Sequence, residues 1–234
     1  MRPMGVFVDI NAYRKHAAKI KERLCSDPEI GRFIDETLEP PDPYGPEKNA
    51  RLVILGQDPT VKREESRARV QVVLNLNRGG ALRSYLVEVS KLLNLDLSQD
   101  VAAINVANNF FTAPPTTLPD PVLSIAVDHW APLVKRQLAS HPNACFISLG
   151  EPILKVVSNN GASCRVRDYW GYEDSRTPGN PALFKALPET MNKLDKIIYP
   201  FPHQPSRGRK FYAQTLQAYS RFVLQNSGML NWLS

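Results

Sequence analysis

RLVILGQDPT occupies residues 51–60 and sets the reading of the whole chain. Its first half is an unbroken run of Leu, Val and Ile that stops at Gly56, and Gln57, Asp58 and Pro59 follow at once. A short continuous apolar run closed by a turn signal marks a strand buried on both faces, as in a parallel sheet, rather than one alternating between core and solvent. The shape recurs at VAAINV (101–106), at ACFISLG (144–150), where Gly150 ends the run, and at IIYPFP (197–202). VQVVLNL (70–76) is read as a further strand.

Helical periodicity fills the gaps. Leu82, Tyr85, Leu86, Val89, Leu92 and Leu93 recur at helical spacing within 81–95, and long helices are expected over 122–141 and 209–228, the last stopped by Gly228. EPILKVVSNN (151–160) continues the pattern. At the front, Asn11 is read as the cap of a helical stretch reaching about residue 37, with Tyr13, Ala17, Ile20 and Leu24 on one face. EPPDPYGPEKN (39–49) cannot continue a helix, because its prolines lack the N–H and clash with the preceding turn. The expected organisation is an N-terminal helical arm, residues 1–38, joined to one domain over 39–234. The alternation of buried strands and helices predicts an α/β fold: a three-layer α/β/α sandwich around a central, mainly parallel sheet of four or five strands.

The chain is large enough for this. At 234 residues and 26.3 kDa, about 70% of the unfolded surface can be buried, so no disulfide or metal is required to complete a core. Hydrophobic residues at 43% exclude general disorder. With a mean hydropathy of −0.30 and no run near the ~18 apolar residues of a membrane span, a membrane protein is not expected. MRPMGVFVDINAYRKH lacks the apolar centre of a secretory leader. The scattered Cys25, Cys145 and Cys164 suit a reducing compartment, so a cytoplasmic protein is expected, or a nuclear one in a eukaryote. The net charge of +6 admits a polyanionic partner without requiring one.

Parallel sheets place ligands at the carboxyl ends of their strands. Those ends read GQDPT, NVANNFFT, GEP and FPHQPS. Asp58 is held by Pro59 at such an end, which serves equally for a site acid and for a plain Asp-Pro turn. His203, between Pro202 and Gln204-Pro205, lies at another, whereas His16, His129 and His141 fall on helical segments and read as surface or packing residues. Asn105 closes a buried strand; its amide either faces a planar polar ligand or makes a side-chain-to-backbone turn bond, as the nearby Asn108 and Asn109 suggest. Ser206, Arg207, Gly208, Arg209 and Lys210 crowd the start of the last helix, where cations oppose the helix dipole. An anion would relieve that arrangement; a solvated turn is the alternative.

Together these loops resemble a uracil-DNA glycosylase of the family marked by G-Q-D-P-Y-H and H-P-S-P-L-S. The first motif stands here as LVILGQDPTV (52–61) and the second as FPHQPSR (201–207). Between them, GGALRSYLVEVSKL (79–92) resembles the family's Pro/Ser loop and following helix, AAINVANNFFT (102–112) its Asn-bearing strand end, and ACFISLGEPILKVV (144–157) its strand-Gly-helix segment; FYAQTLQAYSRFVLQNSGMLNWL resembles its last helix and tail. The resemblance implies the same sandwich fold and base flipping of a damaged nucleotide, with no metal and no cofactor. Asp58 matches the acid that orients water, His203 the donor to the departing base, and Asn105 the reader of the pyrimidine edge. Gln57 and Asp58 would offer backbone N–H groups to the base. Ser206, Arg209, Lys210 and, in the segment like the Pro/Ser loop, Ala81 would face DNA. Arg207 stands where the family carries a Leu that fills the emptied stack. DNA is the implied partner of a monomeric enzyme.

The departures are specific. Thr60 replaces the Tyr that excludes thymine, and Val61 the next His. The position of the base-stacking ring falls at Gln71 or Val72, with Val72 taken as a pocket residue. Gln204 is inserted in the second motif. A wider, less stacked pocket is implied, and a DNA-binding or protein-bridging module with an impaired pocket is the alternative. Three cysteines cannot supply the four ligands of the iron–sulfur cluster found in related glycosylases. The stretch 161–181, rich in Arg, Tyr and Trp, serves either a nucleic-acid surface or packing on the sheet edge. No phosphate-binding loop of the G-x-x-x-x-G-K or G-x-G-x-x-G type is present.

Overall fold

The structure, a computed structural model, describes residues 9–159 and 162–229. The first eight residues of the expected arm, the end of the 151–160 helix, the start of the 161–181 stretch and the tail after Met229 lie outside these. In chain order the elements are α1 (Ile10–Cys25), β1 (Leu52–Gly56), α2 (Ala81–Leu92), β2 (Val101–Asn105), α3 (Asp120–Ala139), β3 (Cys145–Leu149), α4 (Glu151–Val157), the single turn α5 (Val166–Tyr169), β4 (Ile198–Phe201) and α6 (Lys210–Asn226).

The four strands form one parallel sheet in the order β2-β1-β3-β4, and every residue in them is buried. Helices α2 and α6 pack together, as do α3 with α1 and α3 with α4. With right-handed crossovers, the leftward step β1–α2–β2 and the rightward steps through α3 and α4 put these two groups on opposite faces, which gives the three layers. The sheet edges are covered. Tyr44 exchanges both backbone hydrogen bonds with Ala103 of β2, and Leu187 does the same with Ile198 of β4.

Three expectations about local structure are corrected. Residues 70–76 are not a strand. Val72 makes one isolated bridge to Asp42, and then Val73–Asn75 turn as a 3-10 helix in which Leu74 and Asn75 take φ of 56° and 53°. Left-handed residues cannot extend a pleated strand. The helix cap is Asp9, whose carboxylate accepts from the Asn11 N–H at 2.8 Å, so Asn11 lies inside α1. And α1 ends at Cys25, capped at Ser26 two residues before Pro28; only a 3-10 turn, Gly31–Phe33, follows before residue 37.

Tyr13, Ala17, Ile20 and Leu24 of α1 are buried in the same core as the sheet. The aromatic residues of the 161–181 stretch also turn inward. Trp170 is fully buried, stacks on Tyr219 with centroids 4.6 Å apart, and donates its indole N–H to the Pro200 carbonyl at 2.6 Å. Cys25, Cys145 and Cys164 are free thiols. No helix among the described residues is long and apolar enough to cross a membrane.

The embedding of α1 has a direct measure. Leu24→Ala is expected to lower the unfolding free energy by about 2–5 kcal/mol, read as a lower urea midpoint at constant m-value. An unchanged midpoint would show that α1 contributes nothing to the core.

Candidate active site

All four strands run the same way, so the loops after β1, β2, β3 and β4 share one edge of the sheet. Chain direction reverses between β1, which crosses over to β2, and β3 on its other side. At such a switch point the two loops diverge and leave a crevice. A cavity of about 570 Å³ opens here, lined by Gln57 after β1, Glu151 and Pro152 after β3, and Asp120 and Leu123 of α3. A smaller one of about 150 Å³ adjoins His203, with Gly150, Ser206, Arg209 and Tyr212.

Asp58 closes an Asx turn, its Oδ2 accepting from the Thr60 N–H at 2.8 Å. Two ties then bind this loop to the one after β2. The Thr60 hydroxyl accepts from the Phe111 N–H at 2.9 Å. The guanidinium of Arg67, only 4% exposed, donates to the Val61 carbonyl at 3.3 Å and the Thr112 carbonyl at 3.0 Å. Burial pushes the Asp58 carboxyl up to about 7, outweighing the opposing pull of the Thr60 and Gln57 hydrogen bonds and the Arg67 charge. The loop thus carries a carboxyl poised to exchange a proton near neutrality.

Asn105 sits opposite Gly56 in the β1–β2 register and is 1% exposed. Its amide makes neither a turn bond nor an open ligand contact: Nδ2 donates to Asn108 Oδ1 at 2.9 Å. The orientation is fixed from outside the strand. Asn108 Nδ2 donates to the Pro41 carbonyl at 2.6 Å and to the Tyr13 hydroxyl at 2.5 Å. A carbonyl only accepts, so Asn108 must turn its oxygen to Asn105. Asn105 Oδ1 is left buried and, among the described residues, without a partner, against the bare face of Gly56. A Cβ at Gly56 would collide with that oxygen and come within 2.8 Å of Leu74 Cδ2. Leu74 and the Asn105 amide oxygen thus both crowd the bare face of Gly56. Val72 lies at the linker bridge to Asp42 instead. Asn109 accepts from the Trp130 indole at 2.9 Å and is a packing residue.

His203 follows β4. Pro202 is anchored through its carbonyl by the Tyr85 hydroxyl at 3.1 Å. Gly150, at φ +90°, lets the backbone pass: an added Cβ would stand 3.1 Å from that of His203. The imidazole makes no hydrogen bond among the described residues, and burial of its inner side lowers its pKa, keeping it neutral. Ser206 N–H donates to the His203 carbonyl at 2.8 Å, which curls the loop into a 3-10 turn.

The cation cluster divides. Arg207 pairs with Glu88 of α2 at 2.6 Å and lies 5.3 Å over the Tyr85 ring. Arg209, the residue preceding α6, and Lys210, its first residue, are exposed and form no ion pair among the described residues. Ala81 is exposed at the start of α2, behind Gly80. Gln57 accepts through its carbonyl from Ala107 N–H at 3.0 Å while lining the larger cavity. No three His, Cys, Asp or Glu side chains gather into a metal-holding group among the described residues.

Neither a scan against protein-family models nor a search of curated proteins finds a match for the chain. What the strand-end loops do is read from their own chemistry. Three residues of that chemistry were not picked out in sequence, Leu74, Arg67 and, beyond its role as a stop, Gly150, while Asn108 was noted only as a neighbour of Asn105. Asn108 carries a signal, a second amide three residues after Asn105; Arg67 is hidden in the charged run KREESRAR.

The raised Asp58 pKa fixes a sign. The folded state holds this proton more tightly than the unfolded chain, whose carboxyl has the ordinary value of 3.8, so the contribution is full below about 4 and is lost as pH rises through about 7. Asp58→Asn, which cannot ionise, is expected to gain melting temperature relative to wild type as pH rises from 4 to 7, with a constant difference above that. A difference independent of pH would mean that Asp58 is not desolvated.

Proposed function

We propose that this chain is a DNA glycosylase that hydrolyses the N-glycosidic bond of a flipped uracil or related damaged base. The observation that carries the reading is one sheet edge bearing a carboxyl of raised pKa, Asp58, after β1, and an imidazole of lowered pKa with no hydrogen bond among the described residues, His203, after β4, with the switch point between β1 and β3. The motif resemblance supports the same assignment.

In this mechanism the C1′–N bond breaks with its electron pair leaving on the base. Ionised Asp58 stabilises the cationic sugar and takes the proton of the water that adds to C1′. Neutral His203 donates its N–H to the base oxygen that gathers negative charge, a contact that strengthens as the bond breaks. A neutral donor avoids placing a second full charge in the site. Arg67 and the Thr60 bonds hold the Asp58 loop on the opposite strand end.

One observation favours the second reading, a DNA-binding module without excision. Asn105 is buried beside Leu74, with its amide N–H₂ engaged by Asn108. A base reads Asn105 only if that buried amide is freed from Asn108 and exposed.

Product analysis separates the two. Purified protein is expected to release free uracil from a uracil-containing oligonucleotide and leave an abasic site. Asp58→Asn is expected to lower kcat/KM by about 10²–10⁴, and His203→Ala by about 10²–10³. Wild-type kcat/KM is expected to rise with pH and level off above about 7, as Asp58 ionises. Oligonucleotide binding without release of any base would support the module, and equal release by both variants would remove these residues from the mechanism.

A further inference from the structure

Beside the Asp58 loop lies a separate open cleft of about 360 Å³, lined by Val61, Lys62, Arg63, Ser66, Arg69 and, across from them, Asn75 and Arg78. Four of its residues are cations and none is an acid. Glu64 and Glu65, next in the chain, do not line it. All four cations are exposed, and none forms an ion pair or side-chain hydrogen bond among the described residues. This sets them apart from Arg14, Arg165 and Arg207, each matched to a carboxylate. Four like charges converging on one cleft repel one another, and an anion between them removes that repulsion.

The cleft is built by backbone features that lie between strands rather than within one. Its far wall is the Leu74–Asn75 turn, two consecutive non-glycine residues at positive φ. Such a conformation costs of order 1–3 kcal/mol for each residue and persists only where surrounding structure holds it. Its near wall is held by buried Arg67, whose bond to the Val61 carbonyl fixes the start of the basic run. Both walls touch the strand-end site: Val61 is three residues from Asp58, and Asn75 adjoins Leu74 over Gly56.

We infer that this cleft holds the phosphodiester backbone of a nucleic acid strand alongside the strand-end loops. The inference holds whether or not those loops excise a base. Long, exposed, unpaired cations along an open groove suit sequence-independent backbone contact. A free phosphate would call for an enclosed cradle of partly buried donors, and the only neutral polar side chains lining the cleft are Ser66 and Asn75. Hydroxyl and amide groups of that kind add hydrogen bonds to phosphate oxygens.

The test uses undamaged fluorescein-labelled oligonucleotides, single-stranded and duplex, so that excision plays no part. Binding is followed by anisotropy between roughly 50 and 200 mM KCl. Arg69→Gln/Arg78→Gln is expected to flatten the slope of log K against log salt by about 1.4–1.8, the loss of two phosphate contacts. Lys48→Gln/Lys196→Gln, which removes the same charge at the amino edge of the sheet, is expected to leave the slope as in wild type. Equal melting temperatures for the two variants confirm that the folds are intact. Equal slopes for the cleft variant and wild type on both probes would overturn the inference, as would equal flattening by the control. Displacement of the oligonucleotide by inorganic phosphate but not by chloride at matched ionic strength, with no change in slope, would reassign the cleft to a free phosphate.

Discussion

The geometry of the strand-end site depends on the absence of one side chain. Gly56 stands opposite Asn105 in the register of the two left-hand strands, and only a hydrogen fits between its Cα and the Asn105 amide oxygen. With that space free, Asn105 lies flat on β1, Asn108 reaches it from the following turn, and Leu74 packs from the other side. A methyl group here would displace an amide that is bonded on its other end, and an amide displaced within the core loses partners it cannot replace with water. The loop after β1 then proceeds to Asp58, whose half-buried carboxyl is raised by desolvation to about 7.

The strands at 52–56, 101–105, 145–149 and 198–201 were legible because strands buried on both faces need continuous apolar runs, and few other elements of that length do. The same rule misread 70–76. VQVV has strand composition, but Leu74 and Asn75 adopt a left-handed turn that no glycine announces. Asp58 and His203 were legible as residues directly after strands. The state of Asn105 was not, because it depends on the Pro41 carbonyl and the Tyr13 hydroxyl, groups brought to it by chain segments far away in sequence. Arg67 was illegible for a related reason: in a run of alternating charges, nothing local distinguishes the arginine that turns inward.

The excess positive charge is likewise divided by tertiary contacts rather than by composition. Arg207, from the densest cation cluster, is drawn onto α2 by Glu88 and the Tyr85 ring, so its charge is spent within the protein. Arg209 and Lys210 remain outward near His203, and Lys62, Arg63, Arg69 and Arg78 remain outward near Asp58. The free positive potential therefore flanks the carboxyl edge of the sheet on two sides. Long-range attraction of a polyanion by such a distribution acts on the rate of encounter more than on the strength of the final contact.

The hydroxyl of Tyr13 gives the first helix a second identity. Through Asn108 it is a remote member of the hydrogen-bond chain that ends at Asn105, so α1 serves as a latch as well as a layer. The Asn108 amide N–H₂ is thus held twice, by the Pro41 carbonyl that fixes its orientation and by the α1 hydroxyl that adds a second hold. The internal order of the strand-end site is therefore tied to the seating of α1 on α3, on the far side of the hydrogen-bond chain from Asn105.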